Sequence, residues 1–262
     1  MLLVDDVDDV DDVDDTRADR PRTLVTGGTR GIGAAVARRL ARDGHDLVLA
    51  YRSDEEAATR TRAEVEGLGA ACDLVRADVV DPGEVERLFA AAGPLTGVVS
   101  NAGATLHVGP LADTPVEVVA RTVELNLTSA LYVARAAVRA LSTSRGGSGG
   151  VLVTISSVAA TTGSPGEYVQ YAAAKAGVDA MTLGLAQEVA RDGVRVVAVA
   201  PGIVDTTIHA DAGEPGRLAR VGPTVPLGRA GDPREVADAV GWLMSDEASY
   251  VTGTTLRVGG GR

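Results

Sequence analysis

A tyrosine and a lysine four residues apart, Tyr171 and Lys175 in "YAAAK", are the pair in this chain best suited to acid–base chemistry. A free tyrosine has a pKa of about 10 and is a poor base at neutral pH. A nearby lysine ammonium favours the phenolate and lowers that pKa towards the useful range. Because residues i and i+4 share one face of a helix, the spacing predicts that Tyr171 exchanges a proton beside Lys175.

A second tyrosine stands one turn earlier, in "EYVQYAAAK". Tyr168 and Lys175 are seven residues apart, which is two helical turns and too far for direct tuning along an ordinary helix. The spacing therefore selects Tyr171 as the proton donor. Tyr168 follows a Pro-Gly pair, which favours a helix start. Two roles stay open for it: packing at the helix end, or forming a wall of the substrate pocket.

These residues need a scaffold, and short apolar runs alternate with longer helical patterns from Arg22 onward. The runs predict seven strands, at 22–26, 46–51, 72–78, 95–101, 151–156, 194–202 and 254–260. Several strands are continuously apolar, which predicts an α/β single-domain Rossmann fold: a doubly wound, seven-stranded parallel sheet with helices on both faces. The irregular segment 203–230 holds four Gly and three Pro and predicts a lid or binding loop.

The first twenty residues differ in composition from the rest of the chain. They carry nine Asp and two Arg, so most of the net charge of −11 lies there. The run "VDDVDDVDDVDD" predicts a disordered acidic tail at 1–20, ahead of a catalytic domain at 21–262. Carboxylates can bind calcium, but the run lacks the glycine turn and distal glutamate of a calcium loop, so we predict no metal site.

The composition also restricts location and partners. Outside the tail the chain is too poor in basic clusters to predict a nucleic-acid partner. No apolar run approaches the roughly 18–20 residues of a membrane span, and the start lacks a secretory signal. The single cysteine, Cys72, excludes an internal disulfide and fits a reducing compartment. We predict a cytoplasmic protein.

A glycine-rich turn, "TGGTRGIG" from Thr26 to Gly33, follows the first strand and opens the first helix. Gly27, Gly31 and Gly33 have the spacing T-G-x-x-x-G-x-G. Without Cβ atoms the backbone can approach a pyrophosphate, whose charge is stabilised at the helix N-terminus. The turn predicts dinucleotide binding.

With these motifs the chain resembles the short-chain dehydrogenase/reductase family, in its compact branch of about 250 residues. The motifs are "TGGTRGIG", "NAG" (101–103), "ISS" (155–157), "YAAAK" and "PGIVDT" (201–206), in the family's order over residues 22–262. The chain is similar to 3-oxoacyl-acyl-carrier-protein reductase-like and glucose dehydrogenase-like members. The resemblance implies hydride transfer between a nicotinamide cofactor and a small-molecule carbonyl or alcohol.

The resemblance implies four catalytic residues, Asn126, Ser157, Tyr171 and Lys175. Ser157 would hold the carbonyl oxygen; it precedes Tyr171 by 14 residues, one more than the family's usual spacing, so Ser156 stays an alternative. Asn126 would support a water-mediated proton relay, and Lys175 would also bind the nicotinamide ribose.

The resemblance also implies the cofactor contacts, in the glycine turn and at the carboxyl ends of the strands. These are Gly27, Thr29, Arg30, Gly31, Ile32, Gly33, Tyr51, Arg52, Ser53, Asp78, Val79, Asn101, Ala102, Gly103, Tyr171, Lys175, Pro201, Gly202, Ile203 and Thr206. Asp78 and Val79 fall where the family contacts the adenine ring, and the segment around Ile203 and Thr206 matches the one that holds the carboxamide.

The end of the second strand, "AYRS", discriminates between the two nicotinamide cofactors. An NAD enzyme typically places an acid there to bind the ribose hydroxyls, but this chain has Tyr51 followed by Arg52. An arginine can pair with a 2′-phosphate bidentately, and Arg30 supplies a second cation. The sequence favours NADP(H), with NAD(H) as the alternative.

We therefore expect an NADP(H)-dependent reductase of small ketones or secondary alcohols. An NAD(P)-linked sugar or polyol dehydrogenase is the alternative within the same class. A non-catalytic dinucleotide-binding sensor is an alternative of another class, disfavoured because a sensor needs none of the four catalytic residues. The resemblance further implies a homotetramer, or a dimer as the second choice, although Gly259 replaces the usual acid near the C-terminus.

Overall fold

The computed structural model describes residues 20–262, and for His209 only the backbone. Apart from Arg20, the predicted acidic tail lies outside the described residues. Seven strands form one parallel sheet, as predicted. They are β1 (Arg22–Thr26), β2 (Asp46–Tyr51), β3 (Cys72–Arg76), β4 (Gly97–Ser100), β5 (Gly150–Ile155), β6 (Val194–Pro201) and β7 (Thr255–Val258).

Helices connect the strands and cover both faces of the sheet. They are α1 (Gly31–Arg42), α2 (Glu55–Glu66), α3 (Pro82–Ala92), α4 (Val116–Val123), α5 (Ser129–Leu141), α6 (Ala159–Thr162), α7 (Val169–Val189), α8 (Ile208–Asp211), α9 (Arg217–Val221) and α10 (Pro233–Met244). None of the helices in residues 20–262 combines the length and apolarity needed to cross a membrane.

The strands are ordered β3-β2-β1-β4-β5-β6-β7, so the chain reverses direction across the sheet between β1 and β4. In an open parallel sheet this switch point opens a crevice beyond the carboxyl ends of the strands. The predicted glycine turn follows β1 and the predicted "NAG" segment follows β4. The topology therefore brings both motifs to one crevice.

Successive side chains along each strand point to opposite faces of the sheet, so the core has two layers. Leu24 and Val25 are adjacent and fully buried, yet they belong to different apolar clusters on the two faces of the sheet. One cluster packs beneath α1 and α10, and the other beneath α3, α5 and α7. Because both faces are covered, the strands are almost continuously apolar, which explains the run pattern in the sequence.

Two segments differ from the sequence-based prediction. The sequence from Pro115 to Leu141 has a long helical pattern, but the structure interrupts it with a π-helical turn, Glu124–Thr128, between α4 and α5. The segment 203–230, predicted as irregular, contains the short helices α8 and α9. Helices of four or five residues are too short to produce a periodic apolar pattern, so the sequence gives little sign of them.

One buried histidine lies at the start of the sheet. Nδ1 of His45 is 2.9 Å from Oγ1 of Thr23, and both side chains are buried. Burial lowers the pKa of His45 below its ordinary value of 6.5, with Asp43 acting in the opposite direction. His45 is therefore neutral in the folded protein at neutral pH.

This histidine should make the folded protein sensitive to mild acid. A folded-state pKa below the unfolded one contributes stability above pH 6.5 that is lost as the pH falls further. Thermal unfolding measurements should show that the free energy of unfolding of the wild type falls between pH 7.5 and 5.5 more steeply than that of His45→Gln. The difference in slope should be at most about 1.4 kcal/mol per pH unit. Identical pH dependence of the two proteins would contradict this.

Candidate active site

A cleft of about 540 Å³ lies beyond the carboxyl ends of the strands, a volume typical of ligand sites. Every predicted site residue lines it except Gly33 and Asn126, which lie behind its wall. The structure therefore brings residues from six separate segments, 27–32, 51–53, 78–79, 101–103, 157–175 and 201–206, to one cavity.

In the glycine turn, two backbone segments pack so closely that position 33 has no room for a side chain. A Cβ on Gly33, in the first turn of α1, would lie only 2.1 Å from the carbonyl oxygen of Gly27. Nδ2 of Asn101 fixes the same turn by donating to the carbonyls of Thr26 (3.0 Å) and Gly27 (3.1 Å). Gly33 and Asn101 thus hold the backbone close to the N-terminus of α1, a cradle that fits a pyrophosphate.

The adenosine end of the cleft carries two exposed arginines in unequal surroundings. Nη1 of Arg30 lies 3.8 Å from the carboxylate of Asp54, the N-cap residue of α2. Within the described part of the chain, no carboxylate lies within 4.0 Å of the Arg52 guanidinium. Asp54, which sequence reasoning missed, offsets part of the positive charge of Arg30.

The loop after β3 is fixed by its own hydrogen bonds. The Glu84 carboxylate accepts from the backbone N–H of Asp78 (2.6 Å), and Oδ1 of Asp78 accepts from that of Val80 (3.3 Å). Val79 between them is buried and also lines the cleft. These hydrogen bonds hold the loop that forms the cleft wall near the expected adenosine end.

The opposite end of the cleft is formed by the chain after β6. The Pro201 carbonyl accepts from Val158 N–H (3.0 Å), and Gly202 N–H donates to Val258 (3.0 Å). Thr206 approaches the glycine turn closely enough that a Cβ on Gly31 would lie 3.3 Å from its methyl carbon. Thr206, in the predicted nicotinamide segment, thus lies directly beside the glycine turn.

The expected proton donor and its lysine lie on α7 beside the end of β5. Nζ of Lys175 donates to the Ile155 carbonyl (2.8 Å) and lies 5.7 Å from the centroid of the Tyr171 ring. The Ser157 hydroxyl oxygen accepts from the Ala159 N–H (3.2 Å), and Ser157 lines the cleft with Tyr171. Ser156 is 2% exposed and donates instead to the Lys175 carbonyl (3.3 Å), so the geometry favours Ser157 over Ser156.

The protonation of this group differs from the simple expectation. Burial raises the pKa of Tyr171, Tyr168 adds to this effect, and Ser157 opposes it. Burial lowers the pKa of Lys175 to about 8. The sequence argument expected the ammonium to lower the pKa of the phenol, but with Nζ directed at Ile155 burial dominates. Tyr171 is a neutral phenol at pH 7, the form that donates a proton.

Asn126 lies in the π-helical turn and is 1% exposed. Oδ1 accepts from Ala104 N–H (3.2 Å), while Nδ2 donates to the carbonyls of Ala104 (2.8 Å) and Thr122 (2.9 Å). Its amide therefore holds the backbone next to Gly103, where a Cβ would lie 3.4 Å from Nζ of Lys175. The side chain fixes the cleft wall from behind and does not face the cavity.

A buried charge cluster on the substrate side was not anticipated from the sequence. Arg217, at the start of α9, is 1% exposed and lines the cleft with Glu167 and Tyr168. Burial alone would lower the pKa of Arg217, but its hydrogen bonds to Glu167 and Glu214, together with the electrostatic effects of Tyr168 and Glu167, outweigh burial and raise the pKa. The same bond lowers the pKa of Glu167. The residues lie 50 positions apart, and no local pattern connects them.

Comparison with known proteins agrees with this geometry. A family model described as enoyl-(acyl carrier protein) reductase matches residues 27–262. The chain is 41% identical over 243 residues to the uncharacterized oxidoreductase YgfF of Escherichia coli K12, spanning 91% of this chain and 98% of that protein. The chain belongs to the short-chain dehydrogenase/reductase family.

Two further members of the family are similar to this chain. The 3beta-hydroxysteroid dehydrogenase 1 of Eggerthella lenta is 40% identical over 243 residues, covering 91% of this chain and 92% of its own. A short chain dehydrogenase from Burkholderia cenocepacia J2315, crystallised in complex with NADP, superposes with a TM-score of 0.82 at 32% identity, covering 92% and 97% of the two chains. As a family member, this protein is an oxidoreductase of alcohol and ketone groups that binds a nicotinamide cofactor.

The close contact at Gly33 gives a direct test of the cradle. Gly33→Ala should weaken binding of NADPH and NADH by tenfold or more, because the new methyl group must displace the Gly27 carbonyl. Gly184→Ala on α7 is the matched control, since its Cβ would meet nothing within 4 Å. Cofactor fluorescence titrations measure both, and unchanged binding in Gly33→Ala would contradict the steric argument.

Proposed function

We propose that this protein is an NADP(H)-dependent reductase that transfers a hydride between nicotinamide and a small ketone or secondary alcohol. The observation that carries the proposal is the convergence of Ser157, Tyr171 and Lys175 at one cleft with the glycine turn. In this proposal the cofactor contacts are the predicted residues that line the cleft, while Gly33 and Asn126 shape it from behind.

In carbonyl reduction, the bound nicotinamide supplies the hydride to the carbonyl carbon. The Ser157 hydroxyl donates a hydrogen bond to the carbonyl oxygen and stabilises its developing negative charge. The Tyr171 phenol transfers its proton to that oxygen, so that an alcohol forms. In alcohol oxidation the proton returns to the Tyr171 phenolate.

Lys175 performs two tasks in this proposal. Its pKa of about 8 keeps most of the side chain charged at pH 7, so it stabilises the phenolate left when Tyr171 has given up its proton. Its ammonium also binds the ribose hydroxyls of the nicotinamide nucleoside. The hydrogen bond to Ile155 orients the side chain from the end of β5.

The preference for NADP(H) rests on the charges at the end of β2. Tyr51 stands where an acid would bind ribose hydroxyls, and among residues 20–262 no carboxylate lies within 4.0 Å of the Arg52 guanidinium. A phosphate accepts bidentate hydrogen bonds from arginine. The NADP complex of the Burkholderia relative supports the same choice. We further propose a cytoplasmic homotetramer acting on a small molecule, on the family resemblance alone.

Removing the phenol hydroxyl tests the proton donor. Tyr171→Phe should lower kcat for ketone reduction by about 10²–10⁴-fold, the usual contribution of a positioned acid. NADPH affinity should change far less, because the ring remains. Tyr250→Phe, at a fully exposed tyrosine, is the control. Normal turnover by Tyr171→Phe with any ketone substrate would rule out the assignment.

The phosphate assignment is tested at Arg52. Arg52→Ala should raise the Kd of NADPH by about 10–100-fold, because hydrogen bonds to a charged group contribute about 1.5–3 kcal/mol. The Kd of NADH should change little. Arg60→Ala, on the exposed side of α2 where Arg60 pairs with Glu56, is the control. An equal loss for both cofactors would contradict the preference for NADP(H).

A further inference from the structure

Arg217 attaches the segment 203–230 to the two residues that precede α7, Glu167 and Tyr168. Its Nη1 and Nη2 donate to the two oxygens of Glu167 at 2.9 and 2.6 Å, a bidentate ion pair. Nη1 also donates to Glu214 at 3.1 Å. The backbone carbonyl of Glu167 accepts from Gly109 N–H (2.6 Å), so this residue joins loops on two sides of the cleft.

The same guanidinium fixes the ring of Tyr168. Nη2 of Arg217 donates to the Tyr168 hydroxyl oxygen (2.8 Å), and the guanidinium carbon lies 4.9 Å from the ring centroid. The Tyr168 ring in turn packs edge-to-face on the ring of Tyr171, with centroids 5.5 Å apart at an interplanar angle of 86°. Arg217 thus holds a second phenol directly beside the proton donor.

The hydroxyl of Tyr168 retains one unused hydrogen. Its oxygen accepts from Arg217, and within residues 20–262, the His209 side chain aside, no acceptor receives the hydroxyl hydrogen. Tyr168 is 7% exposed and lines the cleft. A buried donor without an acceptor costs about 1–3 kcal/mol, so an oxygen atom entering the cleft here would be stabilised.

The net charge around Arg217 determines which kind of oxygen can accept the hydrogen bond from Tyr168. Two guanidinium groups, of Arg217 and Arg220, face the two carboxylates of Glu167 and Glu214. The four charges sum to zero, so this wall of the cleft offers no net attraction to an anionic group. A hydroxyl or carbonyl oxygen satisfies the Tyr168 donor without bringing an unbalanced charge into a buried site.

We propose that Tyr168 is a specificity-determining residue whose hydroxyl donates to a second, uncharged oxygen of the substrate, with Arg217 as its positioning residue. The inference rests on the proposed reductase function, which places the reacting carbonyl at Tyr171. The preferred substrates are then hydroxyketones and the corresponding diols or polyols.

Matched ketones that differ by one hydroxyl group test this proposal. The hydroxyketones are 1-hydroxybutan-2-one, 4-hydroxybutan-2-one and 5-hydroxypentan-2-one, compared with butan-2-one and pentan-2-one. The wild type should prefer the hydroxyketone in at least one pair, and Tyr168→Phe should reduce that preference in kcat/KM by tenfold or more. The loss should appear in the KM of the hydroxyketone, because the contact is present before and during the reaction.

Arg217→Lys provides the second variant, since it keeps the charge but cannot form the bidentate pair with Glu167. Arg217→Lys should also reduce the preference for the hydroxyketone in kcat/KM. The Kd of NADPH and the melting temperature, measured on the same variant, show whether cofactor binding or folding is affected as well. If Tyr168→Phe leaves the preference of every pair unchanged, or lowers both members of each pair equally, Tyr168 only packs and the proposal is overturned.

A binding measurement separates this proposal from the proposed function. Ligand-observed NMR with the NADPH-bound protein compares the same ketone pairs without requiring turnover. Hydroxyketone binding that is tighter than ketone binding in the wild type, and not in Tyr168→Phe, supports the role of Tyr168. If such binding occurs but the wild type oxidises no NADPH, the reductase function is wrong and the binding role stands. If the wild type binds both members of every pair equally, the proposed role of Tyr168 is overturned.

Discussion

The carboxyl ends of the parallel strands meet at one edge of the sheet, and the candidate site depends on this arrangement. Because α1 must start directly above β1, its first turn contacts the glycine turn so closely that only glycine fits at position 33. Asn101, at the end of β4, then fixes the turn through two hydrogen bonds. The shape of the cradle follows from this packing.

The sequence predicted the fold, and most of the residues proposed for the site line one cleft, because both rest on local patterns. The strands are apolar runs that contain buried residues on both faces, and the turn, the helix starts and the i,i+4 pair are short motifs. Asp81 followed by Pro82 is a pattern typical of a helix start, and Asp81 caps α3 by accepting hydrogen bonds from two backbone N–H groups. Tyr168, expected near a helix start, is the residue immediately before α7.

The remaining features depend on contacts between distant segments, which a single sequence does not reveal. Arg217 and Glu167 pair across 50 positions, and nothing near either residue indicates a partner. The pKa of Tyr171 depends on how deeply α7 is buried, and burial reverses the effect expected from Lys175 alone. Asp54 is an ordinary N-cap in the sequence, and only the fold places it beside Arg30.

The order of the strands has a consequence for how this protein can diverge. Arg52 follows β2 and the segment carrying Arg217 follows β6, four strand positions away. At about 4.8 Å per strand this is roughly 19 Å, well beyond the ~10 Å within which substitutions usually affect one another. With the proposed roles of Arg52 and Arg217, changes that alter the cofactor preference and changes that alter the substrate preference should therefore have nearly additive effects.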